Sequence, residues 1–588
     1  MSTPHSIAAF RSASGSRSSR RHQRGGFFLV LVLVVLAVAT MAVYSFTELM
    51  LAADETSYLQ GDMVQTRLNV DSGVETIRLL LSQPREQLDA SGGMFNNPSL
   101  LRGIPLAGGV DEASQQFTVL APGLTDEGRL GGLRFGLQNE SARLNINALL
   151  VLEENSAALD ALTLLSNSSV DIEGLLGTGE DSGTSEDSEL DETEDIALTL
   201  LMTLPGMDAS IADAILDWID EDTDPRPLGC EDEYYASLPT PYSAANGPLE
   251  SVEELLLVRG VTPQLLFGAD ANRNGILDLD EQQRTSASID TAGALGWASY
   301  LTVHGAEINK TAAGDFRVNV NQEDLEILYE ELLTALGDET FASFIVAYRM
   351  SGKSTLADSA ALLGGGDEVD ADAAEAANNN AEPLLWSVEA MDELDLTAGA
   401  GVELNQILDL IDAEVSIGEG DNAKTYSSPF FGEATLMAEY LPLLMDQLTT
   451  QDTDILPGRI NLNEAPAELL FGITLVDVET IAAIVETRGA GGMNSGDGTT
   501  DRTHETWPLT EGLVTVDQMR ALLPLVTTGG SVYRAQIVGF NASSGLASRA
   551  EAIIDATTLN PRVVAYRDLT HLGRGFDMSI LGSPLTSN

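Results

Sequence analysis

The chain is short of positive charge, of histidine and of cysteine. Its 588 residues carry 30 Lys and Arg against 90 Asp and Glu, a formal net charge of −60. So acidic a surface repels phosphate backbones and anionic headgroups, which disfavours nucleic acid as the partner of the main body. It suits calcium, basic partners or a saline medium instead. The lone cysteine, Cys230, cannot form an intrachain disulfide. An oxidising compartment is neither required nor excluded. The five histidines, at 5, 22, 304, 504 and 571, show no metal-ligand spacing. Gly352-Lys353-Ser354-Thr355 ends like a phosphate loop, but alanine stands at 347 where that loop needs glycine, and the segment follows a helical pattern rather than a strand. No Ser/His/Asp order or paired carboxylates stand out from the acidic background. No enzyme is expected.

Charge is absent altogether from Phe27 to Phe46, and proline is absent from Glu48 until Pro84. The first stretch has the length a helix needs to cross a bilayer. Ahead of it, Arg11, Arg17, Arg20, Arg21 and Arg24 stand without an acid, which keeps that end cytoplasmic and exports the rest. Beyond it, Val70, Val74, Ile77 and Leu81 recur at helical spacing, with Arg67, Asp71, Glu75 and Arg78 on other faces. One helix from 27 to 82 would run roughly 80 Å. Three readings compete for its start. Ala37-Val38-Ala39 offers a secretory cleavage site, but the apolar run exceeds the usual signal core. The run could also be an uncut anchor. The third is a prepilin-type leader, which Arg24-Gly25-Gly26 followed by Phe27-Phe28-Leu29-Val30 resembles. Cleavage after Gly26 would leave Phe27 as the new N-terminus.

Short alternating runs at Gln116–Leu120 and Leu133–Leu137, then at Val532–Phe540, Ser548–Ala556 and Arg562–Arg567, read as strands of one antiparallel sheet. Between them a motif repeats: Arg143-Leu144-Asn145-Ile146-Asn147, Arg317-Val318-Asn319-Val320-Asn321 and Arg459-Ile460-Asn461-Leu462-Asn463. Helical pattern follows each copy, and the asparagine is placed to cap the next helix. Each unit resembles a helix-hairpin-helix, or SAM-like, module. Its one Pro-Gly hairpin, Pro205-Gly206, lies among Asp208, Asp213, Asp217, Asp220, Glu221 and Asp222, so protein docking fits it and DNA does not. Thr178–Asp195, Gly364–Glu382 and Gly489–Thr503 lack apolar periodicity and read as linkers.

Asp270-Ala271-Asn272-Arg273-Asn274-Gly275-Ile276-Leu277-Asp278-Leu279-Asp280-Glu281 fits the twelve-residue EF-hand calcium loop. Asp270, Asn272 and Asn274 supply oxygens at positions one, three and five. Gly275 allows the turn, Ile276 offers its carbonyl, Asp278 sits at nine, and Glu281 at twelve can bind through both oxygens. The preceding Leu265–Gly268 is short for a complete EF-hand.

From Asp217-Trp218-Ile219-Asp220 through Pro225-Arg226-Pro227, Glu231-Asp232-Glu233-Tyr234-Tyr235 and Ala245-Asn246-Gly247-Pro248-Leu249 to Val258-Arg259-Gly260-Val261-Thr262, the chain resembles the central domain of the protein K family of type II secretion, the minor pseudopilins K. Ser251 and Glu254 in this run form a capping-box pattern. Leu31, where most pilins carry glutamate, resembles the same family. The resemblance implies an α+β fold: a long N-terminal transmembrane helix packed on a pilin-like antiparallel sheet, with a large inserted region of helix-hairpin-helix modules. The expected domains are a leader, 1–26; the helix, 27–82; the first part of the sheet, 83–142; a SAM-like domain with the calcium loop, 143–290; an extra module, 291–362; a linker, 363–382; a further SAM-like module, 383–525; and the closing strands, 526–588. The resemblance also implies the prepilin peptidase as processing enzyme, N-methylation of Phe27, single-pass insertion in the inner membrane with a periplasmic body, and minor pseudopilins I, J and H as partners at the tip of a pseudopilus. Two alternatives are a membrane-tethered DNA-uptake protein and a calcium-dependent minor type IV pilin or adhesin. Sequencing the N-terminus of the mature chain is expected to start at Phe27; a start at Met1 or Thr40 would discard the prepilin reading.

Overall fold

The computed structural model describes residues 25–106, 114–152, 196–284, 294–352, 383–418, 424–489 and 502–582. The leader up to Arg24, the expected linkers 178–195 and 364–382, and most of 489–503 lie outside the described residues. The chain divides into two compact units, 1–64 and 65–588. In the first, helix α1 (Gly25–Leu81) is long and apolar enough to cross a membrane. From Phe27 to Gln60 every side chain is exposed, the apolar ones included. Such a surface is costly in water and at ease in lipid.

In the second unit the last turns of α1 become amphipathic in the expected way. Val70, Val74, Ile77 and Leu81 are buried, and they form one apolar cluster with Phe117, Val119, Ile537, Ala550, Ala552 and Ile554 of a sheet. Two glycines let the helix lie close. A Cβ on Gly539 would stand 2.3 Å from the Thr66 carbonyl oxygen, and one on Gly73 would stand 2.7 Å from the Ile537 side chain. Thr66 Oγ1 meets Ser548 Oγ at 2.8 Å, and Asn69 donates to Gln115 Oε1 at 2.8 Å, so the polar residues on this face are satisfied too.

The sheet runs β1 (Ile104–Pro105), β2 (Gln115–Leu124), β5 (Val532–Asn541), β6 (Ala547–Asp555), β7 (Arg562–Asp568), with β3 (Leu130–Arg134) beside β2 and β4 (Gln138–Asn139) beside β5. Every pair is antiparallel, and Val119 lies opposite Ile537. The central pair, β2 and β5, therefore joins the two ends of the chain, and everything between β4 and β5 is an insertion. At its root Arg534 Nε binds Glu140 Oε1 at 2.6 Å, Arg534 Nη1 binds Glu551 at 3.1 Å, and Thr302 donates to Glu140.

The insertion repeats one closing device three times. Leu144–Asn145 pairs in parallel with Leu301–Thr302, Val318–Asn319 with Leu448–Thr449, and Ile460–Asn461 with Val526–Thr527. Each motif's arginine donates to a carbonyl just before the partner segment: Arg143 to Ala298 at 2.8 Å, Arg317 to Asp446 at 3.1 Å, Arg459 to Leu523 at 3.1 Å. Each first asparagine accepts the N–H two residues on, at 3.2, 2.9 and 2.9 Å. The second asparagine ties down the far half of its module: Asn147 exchanges two bonds with Leu249, Asn321 two with Leu404, and Asn463 donates to Arg502.

These contacts refine one expectation and revise another. Asn145 caps the next helical turn, Ile146–Ala148, through its side-chain oxygen as expected, whereas the longer helices of the second module take other caps, Asp324 for Leu325–Leu336 and Asp338 for Glu339–Ser351. The second module does not stop at 362. Trp386 donates to Ser343 at 2.9 Å and stacks edge-on to Phe344, and the closing bridge falls at Leu448–Thr449, so residues 383–449 complete the module begun at 317. The third module is 459–527. The reason is that a two-residue bridge carries no periodicity of its own, and only its partner fixes the boundary.

Burial alone would raise the Glu140 carboxyl, but the Arg534 and Arg143 guanidiniums hold it down at about 2 against an ordinary 4.5. A carboxylate whose folded value is depressed contributes stability above its unfolded value and loses it as pH falls toward the folded one. Glu140→Gln is expected to destabilise the body by about 3 kcal/mol near neutrality, as for a broken buried pair. In denaturant melts its gap to the natural chain should close between about pH 4.5 and about pH 2. A gap that does not change with pH would show that Glu140 is not the charged partner.

Candidate metal centre

The residues expected to bind calcium share one turning loop, with the carboxylates of Asp270, Asp278 and Glu281 further apart than the 4.8 Å that would make them a closed group. A short helix, Pro263–Phe267, capped by Thr262, ends at Gly268, whose φ of +61° lets the chain turn back against Ala294. After the loop, Leu279–Arg284 forms another short helix. Both flanking helices are stubs, as the short Leu265–Gly268 segment suggests. Within the loop, Asp270 accepts from the N–H groups of Asn274 at 3.1 Å and Gly275 at 2.8 Å. Glu281 folds back from position twelve and accepts from Ala271 at 3.0 Å, Asn272 at 3.3 Å and Asp278 at 3.1 Å. Asp278 Oδ2 accepts from the amides of Asn272 at 2.7 Å and Asn274 at 3.3 Å. Gly275 at φ +78° makes the sharp turn, and Arg273 joins it at φ +56°.

This donor set fits a hard cation. Asp270, Asn274 and Glu281 are buried, and Asn272 Oδ1 is buried without a hydrogen-bond partner. Burial, helped by the Glu281 charge, pushes the Asp270 carboxyl up to about 6. A cavity of about 300 Å³ opens beside Asn272, Asp278 and Glu281. Carboxylate, amide and carbonyl oxygens on a turning loop are what calcium takes and softer metals do not.

A second group was not singled out as a metal site by its spacing. Oxygens of Asp220, Asp222 and Glu231 all lie within 4.8 Å of one another, and among the described residues they are the carboxylates drawn together so closely. Both Glu231 oxygens, Asp220 Oδ1 and Asn246 Oδ1 are buried without partners. Asn246 holds φ +43° while its amide reaches the Asp222 carbonyl at 2.8 Å. Burial, then the charges of Asp220 and Asp217, push Glu231 up to about 7. Arg226, 2.6 Å from Asp220, supplies the counter-charge. Such a cluster can hold a cation or a proton. Asp-x-Asp with a glutamate nine residues on was the signal in the sequence, hidden by the acidic background.

Other sequence candidates fall as follows. Gly26 and Phe27 lie in the first turn of α1, with Phe27 exposed. Ser251 makes no capping bond; Val252–Leu257 is a 3₁₀ helix, and Glu254 instead accepts from the Glu250 N–H at 3.1 Å and from Trp218 at 3.4 Å. The Pro205 carbonyl at the hairpin accepts from Trp297 at 2.8 Å. Gly352 ends a helix at φ +70°, and 353–355 lie outside the described residues.

Full-length chain titrated with calcium in a calorimeter is expected to release or absorb heat and to melt higher, by mass action on the folded state. Glu281→Gln, which removes a bidentate charge, should weaken binding about tenfold or more. No heat and no change in melting temperature with the natural chain would remove calcium from the loop.

Comparison with known proteins places this region. Residues 142–267 match the family described as type II secretion system (T2SS), protein K. A stretch of 55 residues, 9% of this chain, is 44% identical to the type II secretion system protein K of Pectobacterium carotovorum subsp. carotovorum, and covers 17% of that protein. A solved chain of the GspK-GspI-GspJ complex from the enterotoxigenic Escherichia coli type 2 secretion system is 12% identical, covers 88% of this chain and 98% of its own, and superposes with a TM-score of 0.27, too low to argue from. The family suggested by the residues from 217 to 262 is thus the one matched. The calcium loop starts at Asp270, just past the end of the match.

Proposed function

We propose that this chain, which carries the first domain of the type II secretion system protein K family, acts as a minor pseudopilin of that system. The observation that carries the reading is positional. The matched domain opens an insertion in an antiparallel sheet, and that sheet rests on the amphipathic end of a helix whose other end is a single apolar span. The reading makes the chain a structural component of a secretion machine rather than an enzyme.

In this reading the prepilin peptidase cuts after Gly26, Phe27 becomes the methylated N-terminus, and the span sits once in the inner membrane with the body in the periplasm. The arginine-rich leader supports that orientation. Leu31 sits in lipid without the cost of a buried carboxylate. A body this large cannot be stacked beneath like subunits, which supports a place at the tip of the pseudopilus. There it would join the minor pseudopilins I and J, with H, start assembly and support export of folded proteins across the outer membrane. The loop at Asp270–Glu281 holds calcium as a structural ion. Net charge of −60 speaks against the DNA-uptake alternative.

The test is co-purification from detergent-solubilised membranes with tagged I and J subunits of the same organism. The expected result is a stoichiometric complex, lost when residues 140–531 are excised and the sheet is rejoined by a short linker. Recovery of the chain alone, or a shift of duplex DNA at low salt, would overturn the assignment.

A further inference from the structure

The loop at Asp270–Glu281 does not face solvent alone; it lies in the seam between the inserted helical region and the sheet. Four elements of the sheet unit grip it. On β2, Pro122 lies so near that a Cβ on Gly275 would stand 2.7 Å from its ring. On β5, Gln536 Nε2 donates to the Arg273 carbonyl at 2.8 Å. On β6, Arg549 Nη2 donates to the Asn272 carbonyl. In the C-terminal segment, the Gly575 carbonyl accepts from Asn274 at 2.7 Å, and Leu572 lines the loop's cavity. So positions three, four, five and six of the loop are all tied to the sheet or its C-terminal continuation. Outside the loop, Glu253 bridges Arg273 at 3.8 Å and Arg567 of β7 at 2.6 Å.

Arg549 is the centre of this seam. The residue is 1% exposed, yet Nε and Nη1 have no hydrogen-bond partner. The opposing charges that act on it are Asp270, Glu551 and Asp278. Gly575 covers it so closely, at φ +73°, that a Cβ there would stand 2.0 Å from Nη1. A buried guanidinium with open donors is expensive unless fixed negative charge stands beside it. The loop supplies that charge in excess. Asp270, Asp278 and Glu281 repel one another, and a single guanidinium does not balance three carboxylates.

We propose that the Asp270–Glu281 loop is a cation-dependent clasp that fastens the inserted helical region to the sheet and to the C-terminal segment 569–582, with Arg549 as the positioning residue that couples loop to sheet. This rests on the calcium reading of the loop. With a divalent cation the three carboxylates are drawn in, the Asn272 carbonyl is held toward Arg549, and Gly575 packs over the guanidinium. Without it, carboxylate repulsion lifts the loop, and the seam is the first part of the body to open. A pseudopilus subunit so built would be firm in a calcium-bearing periplasm and loose before export.

The experiment is hydrogen–deuterium exchange with mass spectrometry on the full-length chain in detergent micelles, with calcium or with a chelator, beside calorimetry on the same samples. In the natural chain calcium should slow exchange about tenfold or more in 569–582 and in β6, and leave 414–427 in the second module unchanged. Arg549→Gln should still give the heat of calcium binding but lose the calcium-dependent slowing at 569–582. Gly575→Ala should do the same without touching a charge. If either variant keeps the slowing, or if the natural chain binds calcium with heat and its exchange in these segments does not change, the clasp is wrong while calcium stands. If the natural chain gives no heat at all, the calcium reading falls and takes the clasp with it.

Discussion

The pairing of β2 with β5 is the constraint from which the rest follows. Val119 opposite Ile537 brings together segments from the two ends of the chain. That register puts Phe117, Val119 and Ile537 on one face, where α1 covers them with Val70, Val74 and Ile77. It sets Gly539 under the helix backbone, where no other residue fits. It also brings the ends of the insertion next to each other, so that Glu140 and Arg534 can meet in a buried pair. Closing so long a loop costs little more entropy than closing one half as long, because the penalty grows only with the logarithm of length. A sheet can therefore accept a large helical insertion at this point, provided its root is sealed.

The insertion solves its own closure problem three times by the same means. An arginine, a two-residue parallel bridge and two asparagines tie the start of each module to its end. The arginine satisfies carbonyls that so short a bridge leaves open. The asparagines take over backbone groups that no longer strand would pair. One continuous apolar core runs through the three modules, including Trp218, Trp297, Phe344 and Trp507. The copies do not pack as separate beads. Buried ion pairs lie between them as well: Arg459 of the third module meets Glu307 at 2.8 Å, and Thr527 donates to the same carboxylate. A body with an acidic surface thus buries several of its scarce arginines, among them Arg134, Arg143 and Arg349, each of which donates to more than one oxygen.

That economy of positive charge bears on the candidate centres. In a chain with three acids for each base, most carboxylates stand in water and repel one another mildly. Where burial gathers several, something must balance them. Arg226 does so at Asp217 and Asp220, and Arg549 does so at the Asp270–Glu281 loop, in each case incompletely. Unpartnered oxygens on Glu231, Asp220 and Asn272 mark what is left over. The proposed secretion role and the proposed ion would thus be linked by stability, the ion supplying positive charge where side chains run short.

The amino-acid order alone determined whatever depends on local periodicity or fixed spacing. The uncharged run from Phe27, the buried stripe Val70, Val74, Ile77 and Leu81, the strands at both ends and the twelve-residue loop with glycine at its sixth place were legible because each pattern lies within a few turns of chain. The likeness to the protein K family was legible for a similar reason, since the residues that carry it run together from 217 to 262. What only the tertiary structure decided is partnership across distance. Thr449 rather than residue 362 closes the second module, Arg549 and Gly575 flank the Asp270–Glu281 loop, and Glu231 joins Asp220 and Asp222. Two-residue bridges, single arginines and single carboxylates carry no period, so their meaning comes from what the folded chain sets opposite them.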